Sequence, residues 1–200
     1  VTRDQFRAYV RSLQVQQRYP GIQGIGISVR VRPEMVEDVV NDVRANDFPD
    51  FRIWPEGPRD EYHTIVLLEP VDQRNRTAIG FDMYTNPVRR TAMVRARDSA
   101  EPSASSPVIL VQETIGEKQP GFLVYVPIYT TPGIPGTAAE RRQFLYGFVY
   151  APFRTVDLFS RLFGRDLPRG MSIEVSDGDR QLFAAGVMPA DPRFTATRTL

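Results

Sequence analysis

Hydrophobic residues at the start of the chain recur with the period of a helix. Between residues 4 and 18 they lie three or four positions apart, and arginines occupy the opposite face. A stripe of this kind packs either on its own domain or on the same helix of a second copy. The spacing therefore predicts an amphipathic helix whose stripe is formed by Phe6, Tyr9, Val10, Leu13 and Gln17.

Alternation of hydrophobic and polar residues, which is typical of half-buried strands, begins after the stop signal Pro20-Gly21. Residues 24–31 alternate strictly, whereas residues 63–70 carry apolar side chains on both faces, as expected of a central strand. Asp177-Gly178 between two short runs is a strong hairpin signal. The pattern predicts further strands at residues 51–54, 80–86, 108–114, 122–129, 144–152, 171–175, 180–184 and 195–200.

Helical spacing returns at three places, after Pro33, after Pro87 and after Pro152. Residues 99–106 and 130–142 are rich in turn-forming residues, and we expect loops there. Hairpin-linked strands with few intervening helices predict the α+β class with a largely antiparallel sheet. The helix after Pro87 is expected to keep four arginines on its outer face, namely Arg89, Arg90, Arg95 and Arg97.

Composition narrows the range of functions. Apolar residues make up 42% of the 200 residues, which is enough for one core or for two small ones. The net charge of +1 gives no reason to expect nucleic acid as a partner, although 24 of the 25 basic residues are arginine. No apolar run is long enough to span a bilayer. Both ends look like cuts, so we expect a part of a longer protein.

Few residues are available for catalysis or metal binding. Cysteine is absent and His63 is the only histidine, so we expect no metal site and no nucleophilic triad. The glycines at positions 21, 24 and 26 follow a helix and precede a strand, the reverse of a phosphate-binding loop. We therefore expect no cofactor and no enzymatic activity, with a carboxylate-pair hydrolase as an alternative left open.

Asp82 is the most informative carboxylate in the sequence. It ends a predicted strand between large apolar neighbours, so a buried carboxylate there must find hydrogen-bond donors. The donors are either backbone amides of the helix that begins near Pro87 or groups of a bound ligand. Gln112 and Glu113, polar residues on another predicted core strand, have the same two alternatives.

Seven segments, taken in order, resemble the CHASE domain, the extracytoplasmic sensing module of histidine kinases and of bacterial cyclic-di-GMP enzymes. Together they extend from about residue 20 to about residue 162. They are residues 21–26 (GIQGIG), 62–70 (YHTIVLLEP), 80–83 (GFDM), Arg89-Arg90 with Ala96-Arg97, 106–110 (SPVIL), 122–129 (FLVYVPIY) and 146–154 (YGFVYAPFR).

This resemblance implies a stalk helix followed by two PAS-like lobes with antiparallel sheets. Residues 1–20 would be the end of the stalk, and residues 21–151 the membrane-distal, ligand-binding lobe. Residues 152–200 would be a truncated membrane-proximal lobe. The parent protein would be anchored in the inner membrane, with this domain in the periplasm and paired as a homodimer through the stalk.

The resemblance also implies a small-molecule ligand, adenine-like or of another small amphipathic kind, in the distal lobe. In the plant cytokinin receptors, the aspartate that matches Asp82 binds the adenine-type group. The threonine that lines the same pocket falls near Gln112 or Glu113 here, which implies a different hydrogen-bonding pattern. With Phe81 and Tyr125, these residues form the predicted ligand-binding set. The alternative function is a structural or protein-interaction module without a small-molecule ligand.

Overall fold

The computed structural model describes residues 2–19, 21–112, 118–163, 167–187 and 194–196. Helices and antiparallel sheets combine in these residues, which confirms the α+β class. Among them, no helix is both long enough and apolar enough to cross a membrane. The helices are α1 (Arg3–Leu13), α2 (Val15–Arg18), α3 (Val36–Asn46), α4 (Gln73–Arg76), α5 (Pro87–Ser99), α6 (Ala138–Phe144) and α7 (Thr155–Leu162).

A six-stranded antiparallel sheet forms the centre of the molecule, in the order β2-β1-β6-β5-β3, with β4 also paired to β5. A separate hairpin joins β7 to β8. The strands are β1 (Ile25–Val31), β2 (Tyr62–Glu69), β3 (Ser103–Ala104), β4 (Val108–Ile109), β5 (Pro120–Tyr129), β6 (Leu145–Arg154), β7 (Ile173–Asp177) and β8 (Arg180–Ala185).

The N-terminal helix predicted for residues 4–18 is present but divided into α1 and α2. Thr2 starts α1 with a capping box, in which its hydroxyl accepts the amide proton of Gln5. Gln14 separates the two helices because it adopts a left-handed conformation, with φ at 50°. Phe6 and Val10 are buried against the sheet of the same chain. The part of the stripe formed by Phe6 and Val10 therefore packs on its own domain, which is one of the two possibilities given above.

Helices cover both faces of the sheet. On one face, α1 and α2 pack beside β1, and α3 packs its Val43 against Val29 and Val31 of the same strand. On the opposite face, α5 packs against β5 and β6. The apolar alternation of β1 explains this arrangement, because successive side chains of a strand point to opposite faces. The core beneath α5 is the larger one and holds most of the buried aromatic residues.

Helix α5 begins where the sequence indicates. Asn86 accepts the amide proton of Arg89 as the N-cap, and Pro87 occupies the first turn. The prediction of four outward arginines is wrong at one position, because Arg89 is buried with 2% exposure. Arg89 shares its face with Ala92, Met93 and Ala96, which lie three, four and seven residues later and are also buried.

Several predicted strands are shorter than expected. Only Trp54 of the 51–54 segment pairs, through a bridge to Phe81, because Pro55 has no amide proton to continue a ladder. After the bridges at Phe81 and Asp82, residues 80–86 turn into a 3-10 helix, Met83–Thr85. Strand β4 contains only two residues of the predicted 108–114, and residues 113–117 lie outside the described part. Of the strand predicted at 195–200, residues 195–196 form no strand, and residues 197–200 lie outside the described residues.

Two segments predicted as loops contain regular structure. Ser103–Ala104 pairs with β5, and α6 begins within the 130–142 segment. Thr137 and Glu140 form a capping box at its start, a signal that is visible in the sequence. The hairpin around Asp177-Gly178 is confirmed, with Gly178 at a φ of 56°. The division of the chain into two lobes at residues 151–152, and their PAS-like character, stay predictions.

Candidate functional site

The predicted ligand-binding residues separate into different surroundings. Phe81 and Tyr125 belong to the core beneath α5. Asp82 is fully buried but lies at the edge of the sheet, where it bridges to Thr64 of β2. Gln112 is buried after β4. Glu113, the fifth member of the set, lies outside the described residues.

The carboxylate of Asp82 is held by backbone amides. Its Oδ1 accepts the amide protons of His63 at 2.9 Å and of Tyr84 at 3.1 Å. Its Oδ2 forms an ion pair with Arg59, whose Nε lies 3.5 Å away. Backbone amides are thus among the donors to Asp82, as one of the two alternatives predicted. Asp82 caps the 3-10 helix Met83–Thr85, however, whereas α5 is capped by Asn86. Oδ2 accepts no hydrogen bond from the described residues, and ligand contact through this atom stays a prediction.

His63 is buried beside Asp82, with its ring stacked 3.7 Å from that of Tyr84. Its Nε2 lies 3.8 Å from Oε1 of Glu61, which is an electrostatic contact and too long for a hydrogen bond. Burial lowers the pKa of His63 below its ordinary value, because a charged ring would lose its hydration. The neighbouring His63 ring and the Arg30 guanidinium lower the pKa of Glu61 to about 2.

Two tyrosines face each other across β5 and β6 beneath α5. Tyr125 and Tyr150 are cross-strand partners, and their ring centroids are 6.4 Å apart. The ring of Tyr150 lies over Gly26 of β1, where an added Cβ would come within 2.4 Å of it. Both side chains are fully buried, and neither hydroxyl has a hydrogen-bond partner among the described residues. Each of these hydroxyls can therefore still donate a hydrogen bond and accept others.

Arg89 completes this group from the helix side. Its guanidinium carbon lies 5.0 Å from the ring centroid of Phe81, a cation–π contact. Its Nη2 donates to the carbonyl of Ile109 at 3.3 Å, and within the described residues its Nε finds no acceptor. We call Phe81, Arg89, Tyr125 and Tyr150 the Arg89 cluster.

The electrostatics of the Arg89 cluster link its members. Burial raises the pKa of Tyr125 and of Tyr150 well above the ordinary 10, and the charge of Arg89 offsets part of that rise. Burial also lowers the pKa of Arg89, which the two tyrosines partly oppose. An arginine titrates so far above neutral pH that the guanidinium stays charged. The cluster therefore presents one permanent cation and two protonated hydroxyls in an apolar environment.

Gln112 belongs to a different polar contact. Its Nε2 donates to Oδ1 of Asn75 at 3.4 Å, and Asn75 in turn donates to the carbonyls of Gln23 and Pro70. Asn75 is buried and lies in α4. No hydrogen bond or ion pair joins Gln112 or Asp82 to Tyr125, all of which are described residues. The structure thus brings together two members of the predicted set, Phe81 with Tyr125 around Arg89, and leaves the others apart.

Sequence analysis missed Arg89 and Tyr150. A helical projection from Pro87 would have found the first, because Arg89 falls on the small, apolar face of α5. Tyr150 carried a weaker signal, since it lies among many aromatic residues of a strand that alternates only in part. Its position over Gly26 depends on strand pairing, which the hydrophobic pattern leaves open.

A surface cleft of about 420 Å³ lies elsewhere, where α2 and the segment before β1 meet α7. None of its lining residues belongs to the Arg89 cluster or to the predicted ligand-binding set. It lies at the junction between the N-terminal helices and the C-terminal part of the described chain. Its lining consists of Gln16, Gly21, Ile22, Gln23, Asp157 and Arg161.

Comparison with known proteins gives one family. Residues 1–185, most of the chain, match the CHASE domain. No curated protein matches the chain. The chain therefore belongs to the CHASE domain family, whose members are extracytoplasmic sensory domains of signalling receptors and are not catalytic.

Proposed function

We propose that this domain senses a small molecule on behalf of a transmembrane receptor in the inner membrane. The domain would lie in the periplasm, and its output would be a histidine kinase or an enzyme that makes or degrades cyclic-di-GMP. The observation that carries the proposal is the Arg89 cluster, with its buried polar groups that lack partners among the described residues. Buried polar groups of this kind are rare in folded proteins unless a ligand or ordered water satisfies them.

The energetics support a ligand at this place. An unsatisfied buried donor or acceptor costs about 1–3 kcal/mol, and a charged group costs more. The hydroxyls of Tyr125 and Tyr150 and the Nε of Arg89 are all in this state, and the charge of Arg89 acts on both phenols. A ligand that bonds to all three would recover that free energy upon binding. Ligand sites commonly combine an apolar lining with a few placed polar groups in this way.

The predicted residues fit this proposal in different ways. Phe81 and Tyr125 would contact the ligand within the Arg89 cluster. Gln112 and Glu113 would supply a polar group from the segment after β4. Asp82 would act through Oδ2, in competition with Arg59. A ligand with an adenine-like or other small amphipathic skeleton would satisfy this combination of aromatic and polar contacts.

Strand β1 offers a direct physical connection from the cluster to the N-terminal helices. Gly26 supports the Tyr150 ring on one face, whereas its neighbours Ile25 and Ile27 pack against the core of α1 and α2 on the other. A ligand that orders the Tyr150 ring would therefore also act on β1, against which α1 and α2 pack. A ligand shifts a receptor between two states only by as much as it binds one of them more tightly.

We propose that α1 and α2 are the end of a stalk that pairs with a second copy. Phe6 and Val10 pack inward, but Tyr9 is 63% exposed and Tyr19 59% exposed, so apolar surface remains for a partner helix. In this proposal, residues 21–151 are the distal lobe and residues 152–200 begin the proximal one.

A thermal-shift screen of the purified domain tests the sensor function. The compounds would be adenine derivatives, amino acids and aromatic acids. A ligand at a hundredfold excess over its dissociation constant stabilises the folded state by about 2.7 kcal/mol. A melting temperature that rises selectively with one class, and rises less in Tyr150→Phe, supports the proposal. Tyr146→Phe on the same strand, with a 48% exposed side chain, is the matched control.

A protein-interaction module is the second candidate. The observation in its favour is the apolar surface of the C-terminal part, where Leu162 is 58% exposed and Met171 50% exposed. This function predicts that no compound in the screen shifts the melting temperature. It also predicts that Leu162→Ser disrupts signalling in the full receptor without lowering the stability of the domain.

A further inference from the structure

We propose that the Arg89 cluster binds the carboxylate of a small ligand whose remaining part is apolar. This inference rests on the proposed sensor function, because it names the chemical class of the ligand for the same site. Arg89 would receive the carboxylate, and the hydroxyls of Tyr125 and Tyr150 would donate to its oxygens.

The charge of Arg89 is the first step of the argument. Among the arginines that the structure describes, it is the one that is fully buried. Its hydrogen bond at 3.3 Å goes to a neutral carbonyl, and none of the described acidic residues forms an ion pair with it. A buried guanidinium is stable in a protein when an anion compensates its charge. A ligand anion would provide that compensation.

The two tyrosines define which atoms the anion must present. Both hydroxyls keep their protons at neutral pH, because burial raises the pKa of each phenol. Neither bonds to an acceptor within the described chain, so both are free to donate. Arginine has donors only. A ligand in this position is therefore met mainly by donors, which favours acceptor oxygens over the amine groups of a neutral or cationic ligand.

The amount of charge and the apolar surroundings favour a carboxylate. A single cation matches a monoanion, whereas a phosphate dianion would keep an uncompensated charge in a dry site. The planar guanidinium also matches a carboxylate in a bidentate pair. Phe148, Leu123 and Met93 are buried in the same core and would contact an apolar body.

Paired probes that differ only in charge test the inference. The melting temperature of the purified 200-residue domain would be measured at constant ionic strength with benzoate and phenylacetate. Benzamide and phenylacetamide are their neutral counterparts, and inorganic phosphate is the third arm. We expect saturating carboxylate to raise the melting temperature by about 5 °C or more, and the amides and phosphate to change it by less than about 1 °C.

Variants of two adjacent arginines locate the effect. Arg89→Met keeps most of the volume and removes the charge, and we expect it to weaken carboxylate binding at least tenfold. Arg90→Gln, the matched control, alters an exposed neighbour that donates to the carbonyl of Tyr84, and should leave binding unchanged. Without ligand, we expect Arg89→Met to melt at the same temperature as the wild type or higher, because an unpaired buried charge is removed.

The outcomes separate the ligand class from the sensor function. A fall in the unliganded melting temperature of Arg89→Met by 5 °C or more would show that Arg89 has a partner within the chain, and would overturn the inference. Equal stabilisation by amides and carboxylates, or stronger stabilisation by phosphate, would overturn the carboxylate and leave the sensor function standing. Carboxylates without any effect would overturn the inference too, and the broader screen then decides the sensor function separately.

Discussion

Asp82 and Arg89 lie seven positions apart in the chain, and both are charged residues with almost no exposure to solvent. The carboxylate of Asp82 receives two backbone amide protons and faces the guanidinium of Arg59. The guanidinium of Arg89 has one long hydrogen bond to a carbonyl and a cation–π contact with Phe81. Phe81, which contacts Arg89, and Asp82 are neighbours on the extended segment before α5. Neighbouring side chains on an extended segment point to opposite sides, and this separates the two environments.

This difference indicates which buried charge supports the fold and which is available to a ligand. A buried charge that accepts hydrogen bonds from the backbone fixes the segments that donate to it, here β2 and the 3-10 helix after Asp82. A buried charge with unused donors holds free energy that a ligand can release. The residue that the family resemblance marks as the ligand contact is thus the better satisfied of the two.

The largest effect is expected from Asp82→Ala. The substitution leaves the amides of His63 and Tyr84 without an acceptor and removes the partner of Arg59. We expect the free energy of unfolding to fall by about 3–5 kcal/mol, measured by urea denaturation. Asp72→Ala is the control, because Asp72 also accepts a backbone amide proton but is exposed, so a loss of about 1 kcal/mol is expected.

Equal losses for the two aspartates would remove the distinction drawn for Asp82. In that case the buried carboxylate would contribute no more than an ordinary helix cap. Its position would then be as consistent with a ligand contact as that of any other polar residue in the site.

Gly26→Ala should have the next largest effect, and it acts on the Arg89 cluster. The new Cβ would lie 2.4 Å from the Tyr150 ring and 2.7 Å from the carbonyl of Leu67, so the ring must move. Overpacking of this kind costs about 1–3 kcal/mol. Gly133→Ala is the matched control, because nothing lies within 4 Å of its added Cβ. If Gly26→Ala were as stable as the control, the ring of Tyr150 would not rest on β1.

The hydrophobic pattern predicted the part of the fold that depends on local period. Strands β1 and β2 and helix α5 begin and end within one or two residues of their predicted bounds, because alternation, proline and the Asn86 cap act locally. The 80–86 segment could not be predicted in the same way. Its shape depends on Trp54 and Thr64, which pair with it from distant parts of the chain.

The candidate site was predicted less completely than the fold. Phe81 and Tyr125 could be selected because they lie on recognisable core strands. Arg89 was predicted on the outer face of α5 with three other arginines, although it falls on the same face as Ala92, Met93 and Ala96. Arginine is rarely buried, so its residue type gave no signal for this position. The bonding of the Asp82 carboxylate could not be derived either, since it involves the amide of a residue nineteen positions earlier.

The pH dependence of stability should show a smaller effect, and it comes from His63, which lies beside Asp82. Burial lowers the pKa of His63, so the unfolded chain binds the proton first as the pH falls below about 6.5. The free energy of unfolding should therefore decrease between pH 6.5 and 5, by at most about 1.4 kcal/mol per pH unit. The carboxyl of Glu61 has its pKa lowered to about 2 and contributes only at more acidic pH.

His63→Phe is the test of that assignment, because it keeps a ring against Tyr84 and cannot take up a proton. Thermal melts at intervals between pH 7 and 5 should show a flatter profile for the variant than for the wild type. The same slope in both proteins would show that another group is responsible for the pH dependence.

The smallest change in the free energy of unfolding is expected when the unpartnered hydroxyls of the Arg89 cluster are removed. Tyr125→Phe and Tyr150→Phe each remove a buried hydroxyl that has no partner in the described chain. A hydroxyl without a partner stabilises nothing, and its removal spares a desolvation penalty. We expect the free energy of unfolding of the unliganded domain to stay within about 0.5 kcal/mol of the wild type or to rise by up to about 1 kcal/mol.

Tyr129→Phe, on the same strand as Tyr125, gives the scale for this measurement. Its hydroxyl donates to the carbonyl of Arg97 at 2.7 Å, so its removal should destabilise the domain by about 1 kcal/mol. Urea denaturation of the three variants side by side separates the two kinds of hydroxyl. If Tyr125→Phe and Tyr150→Phe lost as much stability as Tyr129→Phe, both hydroxyls would already be bonded in the unliganded domain. The tyrosines of the Arg89 cluster would then be satisfied within the core, with no hydroxyl donors left for a ligand.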